Sequence, residues 1–211
     1  MCKPSESDFI KERVNAIKEA IHFFSNDCKP DREVWVVMHF LSQLRIEFSN
    51  EEIDASSDEP ADVVYCDARF QVKEIIDKDR KRCDEYRESL RKAETATSAS
   101  DLLEHYRPQK IACSDIVPIV AEQASKWQRK YGPSECMSTD LLFYFNLQDI
   151  HVVGDKFPAV DPYSSRMAAW RSVSVDSGDC ALVLHVSQSA PSFLKTAQDK
   201  VHRNLSVCLD D

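Results

Sequence analysis

The sequence predicts a mixed α/β domain: an α+β arrangement with a mixed sheet. Three observations carry that expectation. Helical periodicity dominates the N-terminal forty residues, strand-like alternation follows, and helix and strand then recur, which is the order of a layered α/β chain. The stretch P60-A-D-V-V-Y-C-D-A-R-F-Q-V-K-E-I75 alternates like a hairpin. L141-L-F-Y-F-N-L147 is apolar throughout and of strand length, as for a central strand covered on both faces. With 211 residues the chain is long enough for one sizeable core, so a single domain over 1–211 is expected.

Each element has its own local reason. Ser5 with Asp8 reads as a capping box, and Phe9, Ile10, Val14, Ile17, Ile21 and Phe24 recur at helical spacing, so a helix is expected from Ser5 to Phe24. Pro30, Asp31 and Glu33 suit the first turn of a second helix. Its body, V-W-V-V-M-H-F-L-S-Q-L, would pass for a buried strand by composition, but its length and start signals favour a helix. Leu44–Ser49 reads as a first strand and Ser49–Pro60 as an acidic loop. After the hairpin, Asp77–Glu94 is a charged helix of alternating sign, mostly a solvated face. A loop capped at Ser100 leads to a short helix near Leu102–Tyr106. Ser114–Tyr131 is a further helix with Pro118 in its first turn, stopped by Gly132-Pro133. Two strands flank a Ser177-Gly178 turn, and a helix from Ser192 to Asn204 closes the chain.

Bulk properties exclude several classes. The three glycines stand far apart, against a phosphate-cradling nucleotide fingerprint. The eight cysteines form no C-x-x-C pair, against a zinc ribbon or a disulfide framework, and reduced thiols of a cytoplasmic protein are expected. No apolar run approaches the ~20 residues that span a bilayer, and the polar start M-C-K-P-S-E-S-D does not read as a signal peptide, so no membrane partner is expected. A formal net charge of -9 argues against a surface coated with phosphate-neutralising groups, while leaving room for one basic groove.

The hairpin carries the chemistry. A turn at Cys66-Asp67 pairs Tyr65 with Ala68, Val64 with Arg69, Val63 with Phe70 and Asp62 with Gln71. Side chains alternate across a strand, so Val63, Tyr65, Phe70 and Val72 share a core face, and Asp62, Val64, Arg69, Gln71 and Lys73 share the other. Asp62 and Gln71 then lie about 5 Å apart at Cβ, with Lys73 one step along. A carboxylate and a carboxamide oxygen suit Mg²⁺ (or Mn²⁺), a hard ion that takes oxygen ligands and keeps several waters. Lys73 would stand beside the water that must lose a proton to attack a phosphodiester, or stabilise charge growing on the phosphate. The bland alternative is a solvent-facing hairpin with an Asp–Lys pair worth less than ~1 kcal/mol.

P60-A-D62 followed by Q71-V-K73 resembles the PD-(D/E)xK nuclease superfamily in a QxK variant. More narrowly, A-D-V-V-Y-C-D-A-R-F with W170-R-S-V-S-V resembles a small bacterial family of unknown function described as endonucleases. The resemblance implies a restriction-endonuclease-like core of helix–strand–strand–strand–helix–strand over about 30–150: the helix of Glu33, Arg45–Phe48, Asp62–Tyr65, Phe70–Ile76, Ser114–Tyr131 and Leu141–Leu147. An extra N-terminal helix would precede it, and a C-terminal β-hairpin plus helix over about 165–205 would follow. It implies Asp62, Gln71, the Val72 carbonyl and Glu33 as metal ligands, and Lys73 as the residue that positions or activates water. Two departures stand out: residue 71 is Gln rather than an acid, and residue 61 separates the Pro from the Asp.

DNA (with RNA as an alternative) is then the expected partner, through Arg69, Lys78, Arg82, Lys126 and Arg171. K126-W-Q-R-K-Y131, with Gln128 and Tyr131, is like helices that line nuclease sites, though a basic helix end also complements the dipole. The second reading is an inert module on the same fold that acts through a protein partner, in phage defence, counter-defence or a mobile element. A homodimer built on the Asp77–Glu94 helix is the third.

Overall fold

The computed structural model describes residues 5–78, 80–103 and 107–203. They fall into two compact units, Met1–Arg32 with Lys78–Arg107, and Glu33–Asp77 with Pro108–Asp211. The helices and strands in chain order begin with α1 (Glu6–Phe23), α2 (Lys29–Gln43), β1 (Ile53–Ala55), β2 (Val63–Tyr65), β3 (Ala68–Ile76) and α3 (Arg82–Thr95). They continue with β4 (Gln109–Ala112), α4 (Cys113–Tyr131), α5 (Pro133–Cys136), β5 (Asp140–Asn146) and β6 (Ile150–Val153). The last are α6 (Ser164–Met167), β7 (Ser172–Asp176), β8 (Ala181–Val186), α7 (Ser192–Ala197) and β9 (Val201–His202).

The first unit is helical. The capping box at α1 forms as expected, Ser5 and Asp8 each accepting from the other's backbone N–H. α1 packs on α3. Phe24 stacks on Tyr86 at 5.4 Å, and the Arg82 guanidinium lies 4.0 Å over the Phe24 ring. α3 starts at Arg82 rather than Asp77, and its alternating charges do pair within the helix, as Arg91 with Glu88 at 2.7 Å. Around Leu102 only a 3-10 turn, Ala99–Leu102, forms, with Asp101 accepting the Thr97 and Ser98 N–H groups; residues 104–106 of the expected helix lie outside the described residues.

The second unit is built on a seven-stranded sheet, ordered β1-β2-β3-β5-β7-β8-β9. β3, β5 and β7 run parallel in its centre, and the pairs toward both edges are antiparallel. Parallel strands are covered on both faces, which explains why β5 reads as a continuous apolar run. On one face α2 packs Val37, Phe40 and Leu41 against Val63, Phe70 and Leu142, with Leu194 of α7. On the other, α4 packs Ile116, Val117 and Val120 with Leu141, Phe143, Val175 and Trp170. β4 and β6 form a separate parallel pair. Among the described residues no helix is long and apolar enough to cross a membrane.

Three expectations are corrected. Arg45–Phe48 is not a strand. Arg45 takes a left-handed backbone (φ 59°), its N–H returns to Ser42 O, and the Ile46 N–H returns to Leu41 O, so the segment closes α2 as a Schellman motif without glycine. The first strand is instead Ile53–Ala55, inside the expected acidic loop. Pro118 lies in the second turn of α4, since the helix starts at Cys113, so its missing N–H costs one helical bond to the Ser114 carbonyl. The closing helix ends at Ala197, and the chain turns through Asp199 (φ 62°) into β9; Asn204 lies outside the described residues.

Candidate active site on the β2–β3 hairpin

The hairpin has the register expected from its sequence, Val63 opposite Phe70, Val64 opposite Arg69 and Tyr65 opposite Ala68. Cys66 supplies the positive φ (50°) that lets the two-residue turn follow the twist of its strands. The regular register ends at Val63–Phe70, and the Asp62 N–H also bonds the Phe70 carbonyl at 2.8 Å, a bulge-type bond in place of the expected Asp62–Gln71 pair, so Asp62 reaches Gln71 from the residue just before β2. Val63, Tyr65, Phe70 and Val72 are buried beneath α2, so Gln71 and Lys73 point to the α4 side of the sheet.

There the three polar groups converge. Asp62 Oδ2 accepts hydrogen bonds from Gln71 Nε2, in a very short contact, and from the Val72 N–H at 2.9 Å. Lys73 Nζ lies 3.5 Å from the same oxygen. The pair is largely shielded, with Lys73 and Asp62 side chains 14% and 13% exposed. Gln71 is buried, and its Oε1 has no hydrogen-bond partner among the described residues. Turning the Gln71 amide would set a second oxygen beside the carboxylate. A residue's N–H and C=O leave a strand on the same side, so the Val72 carbonyl shares the strand edge at which its N–H meets Asp62.

α4 completes the surroundings of Lys73. Its ammonium lies 4.8 Å from the Trp127 ring centre and 6.0 Å from that of Tyr131. The two rings stack at 5.9 Å, and Lys130 approaches them from its own helix at 5.0 and 5.5 Å. Lys73 is thus held between a carboxylate and aromatic faces, both of which attract its ammonium. Trp127 escaped the sequence reading, although the basic, aromatic run around it was its signal.

The other expected residues are distributed unevenly. Glu33 is buried in the early turns of α2, the helix on the opposite sheet face from Gln71 and Lys73. Among the described residues no three His, Cys, Asp or Glu side chains gather closely enough to hold an ion, so any acidic contribution comes from Asp62 without a ready-made carboxylate cluster. Arg69 is half-buried on β3, and Lys126 is exposed on α4 beside Trp127. Lys78 and Arg82 belong to the other compact unit.

Arg171 has a different task from the one expected. Its guanidinium grips Asp140, with Nε at 3.0 Å from Oδ1 and Nη2 on Oδ2, and Nη2 also donates to Asp67 O in the hairpin turn at 3.0 Å. Asp140 is fully buried and also accepts from Ser172 Oγ and from the Arg69 N–H. Arg171 therefore clamps the turn of the hairpin to the central strands rather than offering itself to a phosphate.

A family described as "Putative endonuclease, protein of unknown function (DUF1780)" matches residues 5–207. The chain belongs to this family. No curated protein matches the sequence. Among solved structures, a protein of unknown function from Pseudomonas aeruginosa strain PAO1, labelled "Monooxygenase Superfamily", is similar over 95% of this chain and 97% of its own, at 25% identity and a TM-score of 0.64. The match takes in most of each compact unit.

Proposed function

We propose that this family member is a metal-dependent endonuclease that hydrolyses phosphodiester bonds of DNA, with a restriction-endonuclease-like core of the PD-(D/E)xK type in a QxK form. The observation that carries the reading is the convergence of Asp62, Gln71 and Lys73 on one shielded spot, with a buried Gln71 Oε1 left unbonded. The order α2–β1–β2–β3–α4–β5, with β1, β2 and β3 antiparallel and β5 parallel to β3, supports the same core. The family's endonuclease description agrees with it.

The donors present fit Mg²⁺ or Mn²⁺. Such ions bind through one or two carboxylates and fill the remaining positions with water and substrate phosphate. Asp62, Gln71 Oε1 and the Val72 carbonyl would hold it; Glu33, on the helix that covers the other sheet face, stands outside this set. When bound, the ion would neutralise developing charge and acidify water. The residues do the rest. Asp62 supplies the one shielded negative charge. Gln71 presents a neutral oxygen, so the site carries less negative charge than one built on two acids. Lys73, held by Asp62 and Trp127, would position the attacking water or stabilise charge on a non-bridging phosphate oxygen.

The test is cleavage of plasmid and single-stranded DNA with Mn²⁺, beside Lys73→Ala. Loss of a charge-stabilising donor is expected to slow cleavage by about 10²–10³-fold. Equal rates for the variant and the wild type would sink the mechanism.

One observation favours a second reading, the inert module acting through a protein partner. A single oxygen of Asp62 already accepts from Gln71 and Val72 and pairs with the Lys73 ammonium, a set that neutralises the carboxylate without any ion. Calorimetry with Mn²⁺ separates the two, since heat lost on Asp62→Ala supports the enzyme and the absence of heat in the wild type supports the module.

A further inference from the structure

A second polar constellation sits on the opposite face of the sheet. Glu74, Tyr144 and Asp176 form one row across β3, β5 and β7, near the carboxyl ends of the three parallel strands. The row is three residues beyond Gln71, roughly 10 Å along the strand. Above it lies α2, which places Trp35 and His39 one turn apart on the same side.

Asp176 is fully buried, and its carboxylate has two defined partners: the Gly178 N–H at 2.9 Å and His39 Nδ1 at 2.5 Å. A buried carboxylate is stable only when paired, so His39 is held as its counter-ion. The hydrogen bond to Asp176 raises the imidazole above its ordinary range, in keeping with that pairing. As the charged counter-ion of Asp176, His39 carries a proton on each ring nitrogen, so Nε2–H also donates, and no residue among those described accepts from it. The His39 side chain remains 32% exposed. Trp35 stacks beside the imidazole at 5.5 Å and 23°, is braced edge-on by Tyr144 at 5.8 Å, and is itself 42% exposed.

An outward cationic donor next to a rigid, exposed indole is a combination that recognises an anion attached to a flat ring. Open α/β sheets also bind ligands beyond the carboxyl ends of their strands. We propose that Trp35 and His39 form a nucleotide-binding site, with a base against the indole and its phosphate on the His39 Nε2–H. The site is separate from the Asp62 face and does not depend on hydrolysis there. Its ligand is either a free nucleotide or one unit of a single strand.

The experiment is fluorescence anisotropy of a labelled, 5′-phosphorylated short oligothymidylate in EDTA, with AMP and inorganic phosphate as competitors. Wild type is expected to bind, Trp35→Ala to bind about tenfold more weakly or worse, and Trp35→Phe to keep most of the affinity. His39→Gln is expected to weaken binding as well; Trp35 is exposed, so its variants test the site even if His39→Gln fails to fold. AMP displacing the strand fully identifies a free-nucleotide site, and displacement by competing strand alone identifies a strand site; either supports the proposal. Absence of binding, wild-type affinity in Trp35→Ala, or inorganic phosphate competing as well as AMP would overturn it. Asp62→Ala, measured in parallel, reports any share of the strand held on the hairpin face, and a loss there equal to that of Trp35→Ala would put the strand on that face and overturn the inference.

Discussion

Gln71→Glu offers the sharpest probe of the hairpin site, because it converts the neutral oxygen donor into a charged one with little change of shape. In the folded protein Gln71 Nε2 donates to Asp62 Oδ2 inside a nearly closed space. The variant loses that charge-assisted hydrogen bond, about 1.5–3 kcal/mol. It also sets two carboxylates in contact. At ~3 Å and an effective dielectric of about 20 their repulsion is roughly 5 kcal/mol, part of which Lys73, 3.5 Å from Asp62, offsets, and part of which protonation of one acid relieves. A net destabilisation of about 3 kcal/mol is expected in EDTA, which for a chain of this size lowers the melting temperature by roughly 6–12 °C. A divalent ion reverses the sign. Saturation at a hundred times Kd contributes about 2.7 kcal/mol, so Mn²⁺ should restore most of the loss and raise the variant's melting temperature more than that of the wild type. The assay is thermal unfolding of both proteins across a Mn²⁺ titration. A Gln71→Glu protein as stable as wild type in EDTA and indifferent to Mn²⁺ would refute the placement of Gln71 Oε1 at a cation site.

Other perturbations read the surrounding framework. Arg171→Ala leaves Asp140 buried without its counter-charge and should cost about 3–5 kcal/mol, whereas replacing both partners with apolar residues should recover most of it; thermal unfolding of the single and double variants checks both. Trp127→Leu removes an aromatic face worth about 0.5–2 kcal/mol to the Lys73 ammonium, and is expected to slow cleavage and to lower the melting temperature by roughly 1–8 °C, measured in the plasmid assay and by thermal unfolding beside Trp127→Phe. The His39–Asp176 pair predicts a pH dependence. The hydrogen bond that His39 donates to Asp176 raises the folded-state value of His39, so its stabilisation is complete below the ordinary 6.5 and is lost as pH rises through that elevated value. Stability should therefore fall toward alkaline pH in the wild type, and His39→Gln should flatten that slope in unfolding curves across the same range.

What the sequence discloses depends on whether its physical cause is local. The hairpin register is legible because alternation of Val63, Tyr65, Phe70 and Val72 against polar neighbours admits only one face for the core, and a slip of one residue would bury Arg69 and Lys73 beneath α2. β5 is legible because two covered faces require an unbroken apolar run. The end of α2 is not, since its Schellman closure usually announces itself with glycine and here uses Arg45, which made Leu44–Ser49 look extended. β4 and β6 leave no local mark either: four residues each, they are strands only because Gln109–Ala112 meets Ile150–Val153. The same division runs through the site. Gln71 and Lys73 share a face of β3 by alternation, and Asp62, just before β2 on the same hairpin, reaches them across a short distance in sequence. The groups that hold them in place are contributed from far along the chain, Trp127 by the packing of α4 and Arg171 by its reach to Asp140 and the Asp67 carbonyl. Arg171 looked like a phosphate contact because an arginine beside an exposed strand end and one beside a buried aspartate are spelled alike. The distinction lies in Asp140, an acid at the mouth of an otherwise apolar strand whose burial demands a cation. That demand makes the clamp on the hairpin turn a consequence of core electrostatics, and it ties the geometry of Asp62 and Gln71 to a residue that touches neither.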